Sequence, residues 1–331
     1  MTDIAPVDRL EAWVLVDNLT DSLSSNPANV TAEWTGLLTR GRIRMISGAN
    51  ICCAHHGLSI LLTAHRGDQT NTLLFDAGPE GATFLRNANV LGIAFGAVDD
   101  IVLSHGHWDH AGGLLKAIEA IAQERSGRSF TCFVHPGMFA QRASQRPNGM
   151  IFPMEPVPGP EVLARAGAKV VNTREPQMAG AGAFYISGEI PRLTKYEVGL
   201  PGHMRRSGDG QSWEPDPLLM DERFVSVHVK GKGQFVFSAC SHAGVINVLN
   251  HARKVFPEVP LYGVMGGLHL SGINEKIIPD TIADLKSFDL KLLAPGHCTG
   301  WRAIGAMARE FGDELVPSAV GKHYAIQGSS E

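Results

Sequence analysis

The run Ser104-His105-Gly106-His107-Trp108-Asp109-His110 follows directly on the apolar residues Ile101-Val102-Leu103 and constrains this chain more than any other stretch. Three imidazoles and a carboxylate fall within six residues, on a turn with glycine at its centre. Side chains so close together can only converge, and nitrogen and carboxylate oxygen donors at this spacing suit zinc, iron or manganese. Ala111-Gly112-Gly113 comes next, and then Leu114, Ile118 and Ile121 recur on one helical face. A strand, a histidine turn and an amphipathic helix in that order hold the donors in a defined geometry. A solvent-exposed turn rich in histidine by chance would not need that context.

Short apolar runs bounded by Gly, Asp and Asn predict further strands at 13–16, 58–63, 72–75, 101–103, 131–134, 169–171 and 183–186. A second series is predicted at 224–229, 234–237, 261–265 and 291–293. Helices are expected after Gly113, after Gly244 and from Pro279, a residue favoured in a first turn. The order repeats. A hairpin runs into Asp76-Ala77-Gly78, then a helix, then the histidine turn. Later a hairpin runs into Ser241-His242-Ala243-Gly244, then a helix, then Gly266-Gly267-Leu268-His269. Each half adds a strand ending in a histidine turn, at His135 and at His297. Two such halves predict an α/β fold, a four-layer αββα sandwich with its histidines gathered at one edge. Residues 137–222 break the rhythm with Pro147, Pro153, Pro156, Pro158 and Pro160 and read as an inserted lid or loop region of a single domain spanning 1–331. Within it, 203–217 reads equally well as a disordered surface loop.

The 331 residues are 44% hydrophobic and 19% charged, enough for a sizeable core. A formal net charge of −4, from 29 basic and 33 acidic residues, argues against a nucleic-acid partner. No apolar run approaches the roughly 18–20 residues of a membrane span. Met1-Thr2-Asp3-Ile4-Ala5-Pro6 shows neither the basic nor the apolar part of a signal peptide, so a cytoplasmic location is expected. The five cysteines are scattered and form no CxxC pair, which speaks against a disulfide framework and a zinc ribbon.

The motif His105-x-His107-x-Asp109-His110 after an apolar strand resembles that of the metallo-β-lactamase superfamily, as does Leu73-Leu74-Phe75-Asp76-Ala77-Gly78 before it. Further segments resemble the branch of dihydropterin–ribofuranosylaminobenzene-phosphate synthase-like proteins. They are Val16-Asp17-Asn18, His56-Gly57-Leu58-Ser59, Gly188-Glu189-Ile190-Pro191-Arg192, Cys240-Ser241-His242-Ala243-Gly244, Gly266-Gly267-Leu268-His269-Leu270 and His297-Cys298-Thr299-Gly300. The resemblance implies one or two divalent metal ions, zinc first and manganese or iron next. His105 and His107 would hold the first ion, and Asp109 and His110 the second, with His297 joining them.

Two features depart from the superfamily. A mid-chain Gly-His-Thr is absent, since no histidine lies between His135 and His203 and Gly188-Glu189-Ile190 stands in its place. The late strand ends Ser238-Ala239-Cys240-Ser241-His242 where the superfamily has its bridging aspartate. His242 is the expected replacement ligand. Cys240 and Glu189 are weaker candidates, with a buried hydrophobe and a salt bridge as their ordinary readings. Asp76 is expected to orient the metal loop from outside the ligand set. His56 and His135 read as supporting residues.

A metal ion with an open position lowers the pKa of bound water, which makes a hydrolase the leading expectation. Its substrate would be a small ester, lactone or phosphoester, pterin-like if the branch resemblance holds. Asp109 would move the proton and His269 would contact substrate or protonate the leaving group. Arg192, Lys195 and the amides after His242 would hold a phosphate or carboxylate. An iron-dependent oxidoreductase of the same fold, or a metal-bound ligand sensor, is the alternative. The expected partner is a small molecule rather than nucleic acid or membrane, and a homo-oligomer is compatible with the sequence.

Overall fold

The computed structural model describes residues 4–329, so Met1–Asp3, the start of the segment read for a leader, lie outside the described residues. The α/β fold is the four-layer αββα sandwich. One sheet has eight strands, in the spatial order Val30–Thr31, His323–Gln327, Arg9–Val16, Ser59–Arg66, Gln69–Phe75, Asp100–Val102, Thr131–Val134 and Lys169–Asn172. The other has six, in the order Gln177–Ala179, Phe184–Ile186, Phe224–Val229, Gly233–Ser238, Leu261–Gly267 and Leu292–Gly296.

Side-chain alternation along the strands explains the layering. Leu10, Ala12, Val14, Ile60, Leu62, Leu73 and Phe75 point into the space between the sheets, where they meet Val225, Val227, Phe235, Phe237 and Met265. The intervening Leu15, Leu61 and Leu74 face the other way, against Phe84, Leu91, Leu114 and Ile118 of the helices Gly81–Leu91 and Leu114–Arg125. On the second sheet Val236, Val264 and Leu293 likewise meet Leu249, Ile282 and Met307, from the helices Val245–Val255, Ile278–Lys286 and Trp301–Phe311. A two-residue period with both phases apolar is what a sheet covered on both faces requires. Each large side chain so buried contributes roughly 1.5–3 kcal/mol.

Both halves follow the same path. An antiparallel hairpin (Ser59–Arg66 with Gln69–Phe75, then Phe224–Val229 with Gly233–Ser238) leads into strands that run parallel to its second arm. The carboxyl ends of those strands therefore open on one edge of the sandwich, the usual place for a ligand in sheets of this kind.

Residues 137–222 are more ordered than the proline content suggests. Part of the segment completes the two large sheets through Lys169–Asn172, Gln177–Ala179 and Phe184–Ile186. The rest builds a small sheet from Trp213–Pro215, His203–Arg206, Arg142–Gln145 and Ile151–Pro153. The reading of 203–217 as a disordered loop is thereby corrected: His203 and Met204 are buried, and His203–Arg206 pairs with strands on both sides.

Candidate metal centre

Five strand ends converge on the site. Gln69–Phe75 delivers Asp76, Asp100–Val102 delivers the turn 104–110, Gly233–Ser238 delivers Cys240 and His242, Leu261–Gly267 delivers His269, and Leu292–Gly296 delivers His297. Four residues there, Asp76, Ser241, His269 and His297, hold positive φ angles between 44° and 61°. Non-glycine residues enter that region at a cost, and such strain gathers where the fold over-determines a site. Gly106 is required for a different reason. A Cβ there would run into the backbone carbonyl of Met138.

The histidine turn is gripped from two sides. Asp76, fully buried, accepts hydrogen bonds from the Ser104 amide and hydroxyl, both at 2.7 Å, and lies 2.7 Å from His110 Nδ1. From the small sheet side, Asp221 accepts the Gly106 amide at 2.9 Å and pairs with Arg142 at 2.5 Å, both groups buried. Burial opposes the charge on Asp221, but the Arg142 guanidinium holds its carboxyl below the usual range.

His105, His107 and His242 bring nitrogens within 4.8 Å of one another. Burial, together with the neighbouring imidazoles, pushes all three well below the ordinary histidine pKa. They are therefore neutral, the form that binds metal. His105 Nε2 lies 3.0 Å from His107 Nδ1, and His107 Nε2 lies 3.0 Å from His203 Nε2. His203 Nδ1 donates to the Asp216 carbonyl at 2.7 Å, which leaves its Nε2 bare and facing the site. Burial and the Arg142 charge lower the His203 pKa to about 4.

A second group forms around Asp109, whose Oδ2 lies 3.4 Å from both His56 Nε2 and His297 Nε2 and 3.8 Å from His110 Nε2. Burial opposes the Asp109 charge, but the His110 charge and the nearby His297 and His56 imidazoles keep its carboxyl well below the usual range. Asn18 orients His297 by bonding its Nδ1 at 3.0 Å and its carbonyl at 3.2 Å, and Asp17 accepts the His297 amide at 3.0 Å. Cys240 belongs to three of the donor triads, with His105 and His110, with His297 and Cys298, and with His242 and His269.

The donor set fits a metal. Both ring nitrogens of His242, Nε2 of His297 and Nδ1 of His269 are buried without a hydrogen-bond partner among the described residues, though neutral imidazole has one donor and one acceptor to satisfy. Four orphaned nitrogens on three adjacent rings leave a cost that an ion would relieve.

Of the residues expected at the site, the fold gathers His105, His107, Asp109, His110, His242, His269 and His297 around one cavity of about 380 Å³ or in its floor. Arg192 and Lys195 lie elsewhere. The Arg192 guanidinium is spent on the carbonyls of Ile190, Leu218 and Leu219, and Lys195 is exposed beside Tyr196 and Asp284 in a separate groove. Nor are the amides after His242 free for an anion. Glu222 takes those of His242 and Ala243 at 2.8 and 2.6 Å, and Glu197 takes those of Ile246 and Asn247 at 2.8 and 2.9 Å. Glu189 bonds Arg174 and His135 and stands apart from the donor triads. The sequence reading missed His203, which enters from the small sheet. Its signal was the pair Gly202-His203, the only Gly-His in the middle of the chain.

Residues 55–163 of this chain, which carry the histidine turn of this edge, match the metallo-beta-lactamase superfamily. Among the chain's relatives is the 7,8-dihydropterin-6-methyl-4-(beta-D-ribofuranosyl)-aminobenzene-5'-phosphate synthase of Methanocaldococcus jannaschii, 28% identical over 271 residues, which are 81% of this chain and 89% of that one. An uncharacterized protein of the same organism is 28% identical over 274 residues, 82% of this chain and 94% of its own. The solved structure of Tm1679, a metal-dependent hydrolase of the beta-lactamase superfamily, superposes with a TM-score of 0.69 at 22% identity and covers 97% of this chain and 100% of that one. This likeness shows the shared fold. No helix among the described residues is long and apolar enough to cross a membrane.

Proposed function

We propose that the chain is a metal-dependent hydrolase of a small phosphoester, ester or lactone carrying a planar, pterin-like ring. The observation that carries this reading is the set of orphaned nitrogens on His242, His269 and His297 beside the neutral pair His105 and His107. In this reading His105, His107 and His242 hold one divalent ion, with His203 at its margin. Asp109, His110 and His297 hold a second, and the Cys240 thiol lies between the two groups. When bound, such ions polarise the scissile group and make water nucleophilic near neutral pH.

The chain's own residues do the rest. Asp109 keeps its carboxylate charged against burial, so it stays an anionic donor and can orient a water by accepting its hydrogen at Oδ2. Burial alone would strip the proton from His269, but negative charge on the Cys298 sulfur beside it raises the His269 pKa above the ordinary value. His269 is thus suited to give a proton to a leaving oxygen. Trp108, Met154 and Leu200 wall the same cavity and give a ring an apolar seat. The name of the Methanocaldococcus relative supports the pterin-like choice.

Metal analysis of protein purified without chelator or added metal tests the reading, followed by hydrolysis of a panel of aryl phosphodiesters, lactones and reduced pterin phosphoesters. Zinc or manganese with turnover of one class supports it. Iron with oxygen uptake and no hydrolysis would replace it with the oxidoreductase.

A further inference from the structure

Cys240 and Cys298 come from strands that do not touch. Cys240 follows Gly233–Ser238, Cys298 follows Leu292–Gly296, and Leu261–Gly267 runs between them. Yet their sulfurs are 3.3 Å apart. The middle strand makes this possible by ending in Gly266-Gly267: a Cβ on Gly267 would stand 2.7 Å from the Cys298 sulfur. Both thiols also line the site cavity, so a small solute that enters it reaches them. The other cysteines are differently placed. Cys52 and Cys132 are buried in the helix-covered core, and Cys53 is exposed with no thiol partner among the described residues.

We propose that Cys240 and Cys298 form an oxidation site in which a hydroperoxide closes them into a disulfide and weakens the metal centre. The first sulfur attacks the O–O bond: an S–O bond forms, the O–O bond breaks, and the leaving oxygen departs with the thiol proton as water or alcohol. The second sulfur then displaces the hydroxyl of that sulfenic acid, forming the S–S bond and releasing water with the second thiol proton. Two electrons pass from the two thiols to the peroxide. The sulfurs need to approach by about 1.2 Å to reach bonding distance. Because Cys240 is shared by three donor triads, the disulfide withdraws the one donor that all three use. A bound ion in turn occupies the thiol and protects the pair.

The test treats the metal-stripped full chain with hydrogen peroxide and counts thiols after denaturation. The expected result is a fall from five free thiols to three, a mass loss of about two daltons, and a cross-linked peptide pair containing Cys240 and Cys298. Zinc affinity, read by chelator competition, should drop by about tenfold or more and return with dithiothreitol. Zinc-loaded protein should oxidise much more slowly. Cys298→Ser and Cys240→Ser should each block the cross-link, and the cysteine that remains should advance to the sulfinic acid. Retention of five thiols, a cross-link through Cys53, or oxygen addition to the wild type without a cross-link would overturn the proposal.

Discussion

Oδ2 of Asp76 and Nδ1 of His110 lie 2.7 Å apart with both side chains fully buried, 34 residues apart in the chain. The carboxylate sets the tautomer of the imidazole and turns its Nε2 toward the Cys240 sulfur, 3.2 Å away. Because the same carboxylate holds the Ser104 amide and hydroxyl, one residue orients both ends of the histidine turn. Asp76→Ala should lower metal affinity by about 10–100-fold while leaving the far-UV circular dichroism unchanged. Calorimetric titration of stripped protein with zinc checks it, and wild-type affinity in the variant would refute the orienting role.

Among the described residues His242 has no partner for either nitrogen, so none of them replaces what an ion would supply to it. His242→Ala should remove about one equivalent of metal per chain by elemental analysis. His107→Ala should lose the same ion and any hydrolysis with it. Unchanged stoichiometry in His242→Ala would remove that residue from the ligand set.

Gly106 sits against the Met138 backbone, where a rigid carbonyl cannot yield. Gly106→Ala should destabilise the fold by about 1–3 kcal/mol and lower metal affinity with it, because the turn between His105 and His107 must shift. Urea unfolding with zinc titration of the same samples reads both effects.

Glu197 gives the clearest pH signature. Its carboxyl is buried at the start of the helix Val245–Val255, and burial raises its pKa from 4.5 to about 7, despite the amide bonds that lower it. The folded state thus keeps a proton that the unfolded chain releases, and the linked contribution to stability falls as pH rises from about 4.5 to about 7. Below 4.5 both states are protonated and the cost is absent; above 7 it is complete, at up to about 3 kcal/mol. Glu197→Gln should therefore gain stability relative to the wild type across that window and run parallel to it outside. A difference between the two urea-derived stabilities that does not vary with pH would contradict the assignment.

Local pattern made much of this protein legible. The apolar runs, the amphipathic helices after Gly113 and Gly244 and the histidine turn all announce themselves over short stretches, because strand and helix periods are local properties. The strand His323–Gln327 was not legible. Its five residues join the first sheet between Val30–Thr31 and Arg9–Val16, about 300 positions away, and only those pairings make them a strand. The helix Trp301–Phe311 carries no start signal in the sequence although its apolar face is regular, because it follows Gly300 with no side-chain cap.

The sequence alone determined the kinds of donor present and the edge on which they would gather: His105, His107, Asp109 and His110 are bound to one turn by their spacing. Tertiary structure decided the rest. It brought His203 to His107 from a separate small sheet, turned Arg192 onto the carbonyls of Leu218 and Leu219, and filled the amides after His242 with Glu222 and Glu197. It also set two thiols from non-adjacent strands side by side across a glycine pair. Spacing along a chain reports which groups one element can present together. What those groups finally touch depends on contacts between elements far apart in sequence, where burial and hydrogen-bond satisfaction, rather than local propensity, choose the partner.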